Sequence, residues 1–132
     1  MKNLTYPSTD EVKHFNVLVL SFIKVKKSDN YEIMSISKLQ KVLENCESTE
    51  GDIYDKATIL MKGLIQSHPF ASGNRRTAFI TTKSFLTENK HKLNVQDNES
   101  QARVMQGIRE GYYTDNEITE WIKNGKIRQF RR

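Results

Sequence analysis

The apolar residues that follow Ile53 fall at Ala57, Leu60, Met61, Leu64 and Ile65, spacings of 4, 3, 1, 3 and 1 that gather onto one face only in an α-helix. That helix has a built-in end. Pro69 lacks an amide donor and crowds the residue before it, so the chain has to leave the helix at His68. Helical spacing resumes from Arg76 through Ala78, Phe79, Thr82, Phe85 and Leu86 and runs to Asn89. The fold must therefore accommodate two amphipathic helices joined by a loop over about residues 68 to 74.

The flanking segments supply more helices. Ser8-Thr9-Asp10-Glu11 reads as a capping box, and Val12, Phe15, Val19, Phe22 and Ile23 mark one face of a helix from about 9 to 26 that Ser28-Asp29-Asn30 breaks. Ser37 is placed to cap a second, shorter helix with Leu39, Val42 and Leu43 facing inward, and a polar loop from Glu44 to Gly51 follows. Leu93-Asn94-Val95 reads as a short extended piece. Asn98 with Gln101, and Thr114 with Glu117, supply two further N-caps, the latter opening a helix with Ile118, Trp121 and Ile122 that Gly125 stops. The sum is about six helices and almost no strand, an all-α fold. With two prolines, no repeat and no low-complexity tract, the 132 residues read as a single domain.

Several function classes drop out on composition. No apolar run approaches the ~18 residues that cross a bilayer, and the N-terminal stretch MKNLTYPSTDEV has no secretory h-region, so a cytoplasmic protein is expected. Cys46 is the only cysteine, which rules out an internal disulfide and a cysteine zinc cluster. His14 and His91 have no companions at metal-ligand spacing, and Trp121 reads as core. The 21 Lys and Arg exceed the 16 Asp and Glu, a net charge of +5 that favours anionic partners. Part of the excess lies in Lys126, Arg128, Arg131 and Arg132, read as a solvated or frayed terminus with nucleic-acid contact as the alternative.

The loop between the two central helices carries the chemistry. His68 is a side chain that can take a proton near neutral pH. Gly73 allows a tight turn, after which the amides of the next helix and the positive end of its dipole converge on one point, a place for an anion. Arg75 and Arg76 add two cations able to grip a phosphate. A base beside a phosphate cradle suggests transfer of a phosphorus-containing group to a hydroxyl. On residue types alone, His68 as a mere helix cap and the arginines as surface charges remain an equal alternative.

The run His68-Pro69-Phe70-Ala71-Ser72-Gly73-Asn74-Arg75-Arg76-Thr77-Ala78 closely resembles the H-P-F-x-D-G-N-K-R-T-A signature of the Fic/Doc superfamily, in the form typical of its Doc (death-on-curing) toxin branch. The likeness extends to Ile53 through Ala57 before the motif and to Ile108, Gly111, Thr114-Asp115, Glu117-Ile118, Trp121 and Ile122 after it, roughly residues 36 to 123 in all. The resemblance implies a small helical core with the motif loop as the nucleotide-phosphate site. His68 would be the general base and Phe70 the anchor of the loop. Gly73 and Asn74 would form the anion hole, Asn74 also orienting phosphate or metal, and Arg76 would bind phosphate. Arg75 stands where Doc proteins carry lysine and AMP-transferring members glycine. Phe79 stands where many AMP-transferring members carry a further arginine. Ser72 replaces the Asp or Glu that holds Mg²⁺ in most members, which weakens metal binding and leaves the ion to the phosphates of ATP and Asn74.

Regulation and target follow from the same resemblance. Ser84-Phe85-Leu86-Thr87-Glu88-Asn89 fits the pattern of the family's inhibitory helix, but Glu88 would lie roughly 18 Å along the helix from Arg76, too far to block it. A separate Phd-type antitoxin is then the implied partner. The loop from about Glu44 to Asp52 corresponds in position to the target-binding flap, and a plain connector is the equal alternative. The resulting expectation is a Doc-like toxin that transfers the γ-phosphate of ATP to a Ser or Thr hydroxyl of a protein, by resemblance an elongation GTPase of the EF-Tu kind, and so inhibits translation. Adenylylation is the second reading. A catalytically weak nucleotide- or protein-binding module is the third.

Overall fold

The computed structural model describes residues 3–22 and 35–131, which form six helices: α1 (Thr9–Phe22), α2 (Ile36–Ser48), α3 (Ile53–Ser67), α4 (Asn74–Glu88), α5 (Glu99–Arg109) and α6 (Asp115–Asn124). The stretch 23–26, Ile23 and the expected break at Ser28-Asp29-Asn30 lie outside the described residues, as does Arg132. No strand occurs among the described residues, so the all-α expectation holds.

Helix α3 begins where Asp52 accepts from the amides of Tyr54 and Asp55 while Asp55 accepts from the amide of Asp52, a reciprocal cap. Its periodic face is buried completely: Ala57, Leu60, Met61, Leu64 and Ile65 pack against α2, α4, α5 and α6. Each such large side chain contributes about 1.5–3 kcal/mol by leaving water, so α3 is the axis on which the other helices are hung. Helix α1 lies across α4. Hydroxyls of Thr58 and Thr119 meet at 2.6 Å and tie α3 to α6, while Gln66 Nε2 donates to the Ile108 carbonyl at 2.9 Å and ties α3 to the end of α5.

Several local expectations need correction. Helix α2 does not stop before Glu44 but runs on through Ser48, because Cys46 continues the Leu39–Val42 stripe into the core and turns a polar stretch into the last turn of a helix. Its N-cap is Ser35, whose hydroxyl accepts from the Lys38 amide at 3.2 Å; Ser37 stands beside it. The polar loop shrinks to Thr49–Asp52, and Lys56 Nζ donates to the carbonyls of Glu47 and Thr49, both at 2.7 Å, which fits a braced connector better than an open flap. On α1 the buried stripe is Val12, Asn16, Val19 and Leu20, leaving Phe15 half-buried and Phe22 86% exposed. The Leu93–Val95 piece pairs with no strand. Asn94 instead satisfies the open end of α6, its amide donating to the Ile122 carbonyl at 3.1 Å and its side chain to Lys123 O at 2.7 Å.

The basic tail is not frayed over its described residues. Arg128 pairs with Glu117, donates to the Tyr112 carbonyl at 2.6 Å and lies 4.0 Å over the Tyr112 ring, and Phe130 is buried beside Gly107, where any Cβ would strike the Tyr113 ring. The Arg128 hydrogen bond, helped by the Thr114 amide, holds the Glu117 carboxyl down from 4.5 to about 2. A carboxyl lowered on folding stabilises above its unfolded value and loses that effect as pH falls through its folded value. The clasp should therefore hold above about pH 4.5 and fail between there and about 2. Trp121 fluorescence against pH is expected to show this transition, and Glu117→Gln to remove it.

Burial pushes the Cys46 thiol up to about 12. Thiolate is the reactive form, so a chromogenic disulfide reagent at neutral pH is expected to leave Cys46 untouched until the chain is unfolded.

Candidate active site

Two helix ends face each other across the motif loop. At the end of α3, His68 adopts a left-handed conformation with φ 52° and ψ 59°. Such a backbone disfavours a residue with a Cβ by roughly 1–2 kcal/mol, and the loop around it supplies the restraint. Phe70 is buried, and the Pro69 carbonyl accepts from the Ser35 amide at 3.1 Å. At the start of α4, Gly73 is the N-cap with φ 76°, and no side chain caps the helix. The first-turn amides are thus left for an external acceptor, at the positive end of the helix dipole. Gly73 is demanded twice, since an added Cβ would lie at positive φ and 3.1–3.3 Å from Leu20 and Asn16 of α1.

Asn74 closes the loop. Its Oδ1 accepts from the Phe70 amide at 3.0 Å and its Nδ2 donates to the Phe70 carbonyl at 2.8 Å. The buried side chain thus ties the two ends of the loop together through Oδ1 and one Nδ2 hydrogen, and its backbone N–H belongs to the first turn of α4. Asn16 braces the other side, donating to the Ser72 carbonyl at 2.8 Å and to Thr77 Oγ1 at 3.1 Å.

A cavity of about 500 Å³ lies over this loop. All six residues singled out in the sequence line it: His68, Ser72, Gly73, Asn74, Arg75 and Arg76. The opposite wall is α5, which contributes Gln101, Met105 and Arg109. His68 Nδ1 lies 3.2 Å from the Ile65 carbonyl. A carbonyl only accepts, so Nδ1 carries the proton in that bond and the neutral ring keeps its lone pair on Nε2. His68 thus caps α3 while its neutral ring leaves Nε2 able to accept a hydrogen bond.

Arg76 is already paired. Its two terminal nitrogens meet both oxygens of Asp97 at 2.5 and 2.6 Å, and its guanidinium lies 5.7 Å from the ring of buried Phe79. The hydrogen bond from Arg76 holds the Asp97 carboxyl below the usual range. Glu88 sits at the far end of α4 beside Tyr6 and Pro7, as its distance along the helix requires. Arg75 is exposed, and among the described residues no carboxylate lies within 4.0 Å of it.

A magnesium ion, implied by the family pattern, does not fit the donors present. No carboxylate lines the cavity, Ser72 offers only a hydroxyl, and Asn74 Oδ1 is held by Phe70. Among the described residues no three His, Cys, Asp or Glu side chains cluster for a metal.

Sequence reasoning missed Asn16, Asp97 and Arg109. Asn16 had a signal, a polar residue in the 4-3-1 stripe of an amphipathic helix. Asp97 had none, lying 21 residues from Arg76 in an irregular stretch.

The site thus sets a histidine at the end of α3 beside the uncapped start of α4 and its two arginines, on one cavity of a six-helix protein. The sequence matches the Fic/DOC family over residues 8–86, more than half of the chain, and the protein belongs to that family. The match takes in α1, which the motif-based likeness had left out, and ends before α5. No curated protein matches the sequence. Membership supports a Fic-type transferase that modifies a protein target.

Asn16→Ala is expected to remove about 1–3 kcal/mol of stability, because it unpairs the Ser72 carbonyl and the Thr77 hydroxyl, and to loosen the start of α4. Chemical denaturation and amide hydrogen exchange at Gly73 to Arg76 measure both. Unchanged exchange would mean that α1 does not brace the loop.

Proposed function

We propose that the protein is a Doc-like phosphotransferase that moves the γ-phosphate of ATP to a Ser or Thr hydroxyl of a target protein. The observation that carries the reading is the hydrogen bond from His68 to the Ile65 carbonyl, which leaves Nε2 as the acceptor on a cavity that also receives the start of α4. In the proposed step the target hydroxyl bonds to the γ-phosphorus and its proton passes to His68 Nε2. The bond from that phosphorus to the β–γ bridging oxygen breaks, ADP leaves, and His68 returns its proton to water. The first-turn amides of α4 with Arg75 oppose the phosphate charge, and Arg76 joins them where the phosphate shares its guanidinium or displaces Asp97.

Arg75 and Phe79 favour γ-transfer over adenylylation. The Phe79 ring is buried beneath Arg76, so the position that carries a further arginine in many AMP-transferring members adds no cation to this cavity. The target proposed by resemblance is an elongation GTPase of the EF-Tu kind, with arrest of translation as the consequence. Silencing is assigned to a Phd-type antitoxin, since the inhibitory pattern on α4 points away from the loop.

The test offers ATP labelled at the α or the γ position, with an elongation GTPase and with whole lysate, to the wild type, His68→Ala and His68→Asn. Asparagine tolerates left-handed backbone, so the second variant removes the base and keeps the turn. Label from γ alone is expected, falling by about 10²–10⁴-fold in both variants. Label from the α position would make the protein an adenylyltransferase, and ATP binding without transfer would make it a binding module.

A further inference from the structure

Given a nucleotide in the cavity, as proposed above, we propose that its phosphates are neutralised by the protein's own arginines without a divalent metal ion, and that Arg109 of α5 is the phosphate-binding residue that makes this feasible. The cavity that would hold the polyphosphate is lined by Arg75, Arg76 and Arg109 and by no carboxylate. Ser72 stands in the position of the usual acidic metal ligand, and Asn74 Oδ1 accepts from the Phe70 amide.

The charge balance gives Arg109 its weight. Asp97 holds Arg76 through two hydrogen bonds and cancels its charge. Among the described residues, the uncompensated positive charges on the cavity are then the start of α4, Arg75 and Arg109. Among the described residues, no carboxylate lies within 4.0 Å of Arg109, and its side chain is exposed. Its place follows from helix periodicity: Gln101, Ala102, Met105 and Arg109 form the stripe of α5 that lines the cavity, whereas Arg103 turns away to lie 5.6 Å from the Phe130 ring. A guanidinium offers a phosphate two parallel donors. Two such groups on separate helices can bracket a polyphosphate as a metal otherwise does from within.

Calorimetric titration with ATP, in EDTA and in excess Mg²⁺, tests this directly. The wild type is expected to bind in EDTA within about threefold of its affinity in Mg²⁺, or more tightly, since the free nucleotide carries more charge. Arg109→Gln should weaken binding in EDTA on the order of tenfold, the loss of one charge-assisted contact. Lys41→Gln, exposed on α2, should leave it unchanged. Ser72→Asp should weaken binding in EDTA and regain it with Mg²⁺, the reverse of the wild-type preference. Wild-type binding seen only with Mg²⁺, or an Arg109→Gln variant that binds like the wild type, overturns the inference and leaves the nucleotide reading standing. Absence of wild-type binding under both conditions overturns the inference and the nucleotide reading together.

Discussion

The two hydrogen bonds between the Asn74 side chain and the backbone of Phe70 hold the turn from which the rest of the site takes its shape. Between the last turn of α3 and the first of α4 the chain must reverse within a few residues, and Pro69 can donate no hydrogen bond to help. The amide of Asn74 satisfies both backbone polar groups of the buried Phe70. With Phe70 fixed, His68 is held in its left-handed turn and Gly73 is brought against α1. Asn16 then seals the loop from below by binding the Ser72 carbonyl. With Gly73 as the N-cap, the first turn of α4 has no side-chain cap.

The same economy of groups sets the chemistry. The Ile65 carbonyl is an orphan of the α3 terminus, and by accepting from His68 Nδ1 it both ends the helix and selects the tautomer in which Nε2 is basic. The positive end of α4 and the accepting Nε2 of His68 are therefore consequences of how two helices stop and start. Arg76 is held less freely than its position in the motif suggests. Asp97 occupies both of its terminal nitrogens, so a phosphate must either share the guanidinium or displace the carboxylate.

Stability outside the site rests on two features. Burial of one face of α3 by four other helices supplies the core, and the C-terminal segment closes it through Phe130 and the Arg128–Glu117 pair. That pair lies on the surface, where an isolated ion pair contributes little, but stacking of Arg128 on Tyr112 and its bond to the Tyr112 carbonyl give the clasp a fixed geometry. Charge that reads in sequence as a solvated tail is thus partly structural.

Much of the framework was legible before any coordinates. Helices α3, α4 and α6, the caps at Asn98 and Thr114, the exit at His68 and all six motif residues follow from period, capping pattern and proline sterics, which act over one or two turns of chain. The errors lie where local rules compete with packing. Helix α2 extends through polar residues because Cys46 finds the core, and α1 turns Asn16 rather than Phe22 inward because the motif loop needs a donor there. The partners that decide the chemistry join residues 56 positions apart in Asn16 and Ser72 and 21 apart in Arg76 and Asp97, with Arg109 brought in from a further helix. Sequence by itself determined which groups could act as base and anion cradle, since residue type and helix ends are local properties. Which of them are already paired, and which further side chains share their cavity, were decided only when the helices packed, because neutralisation and hydrogen bonding depend on distances in space that spacing along the chain does not encode.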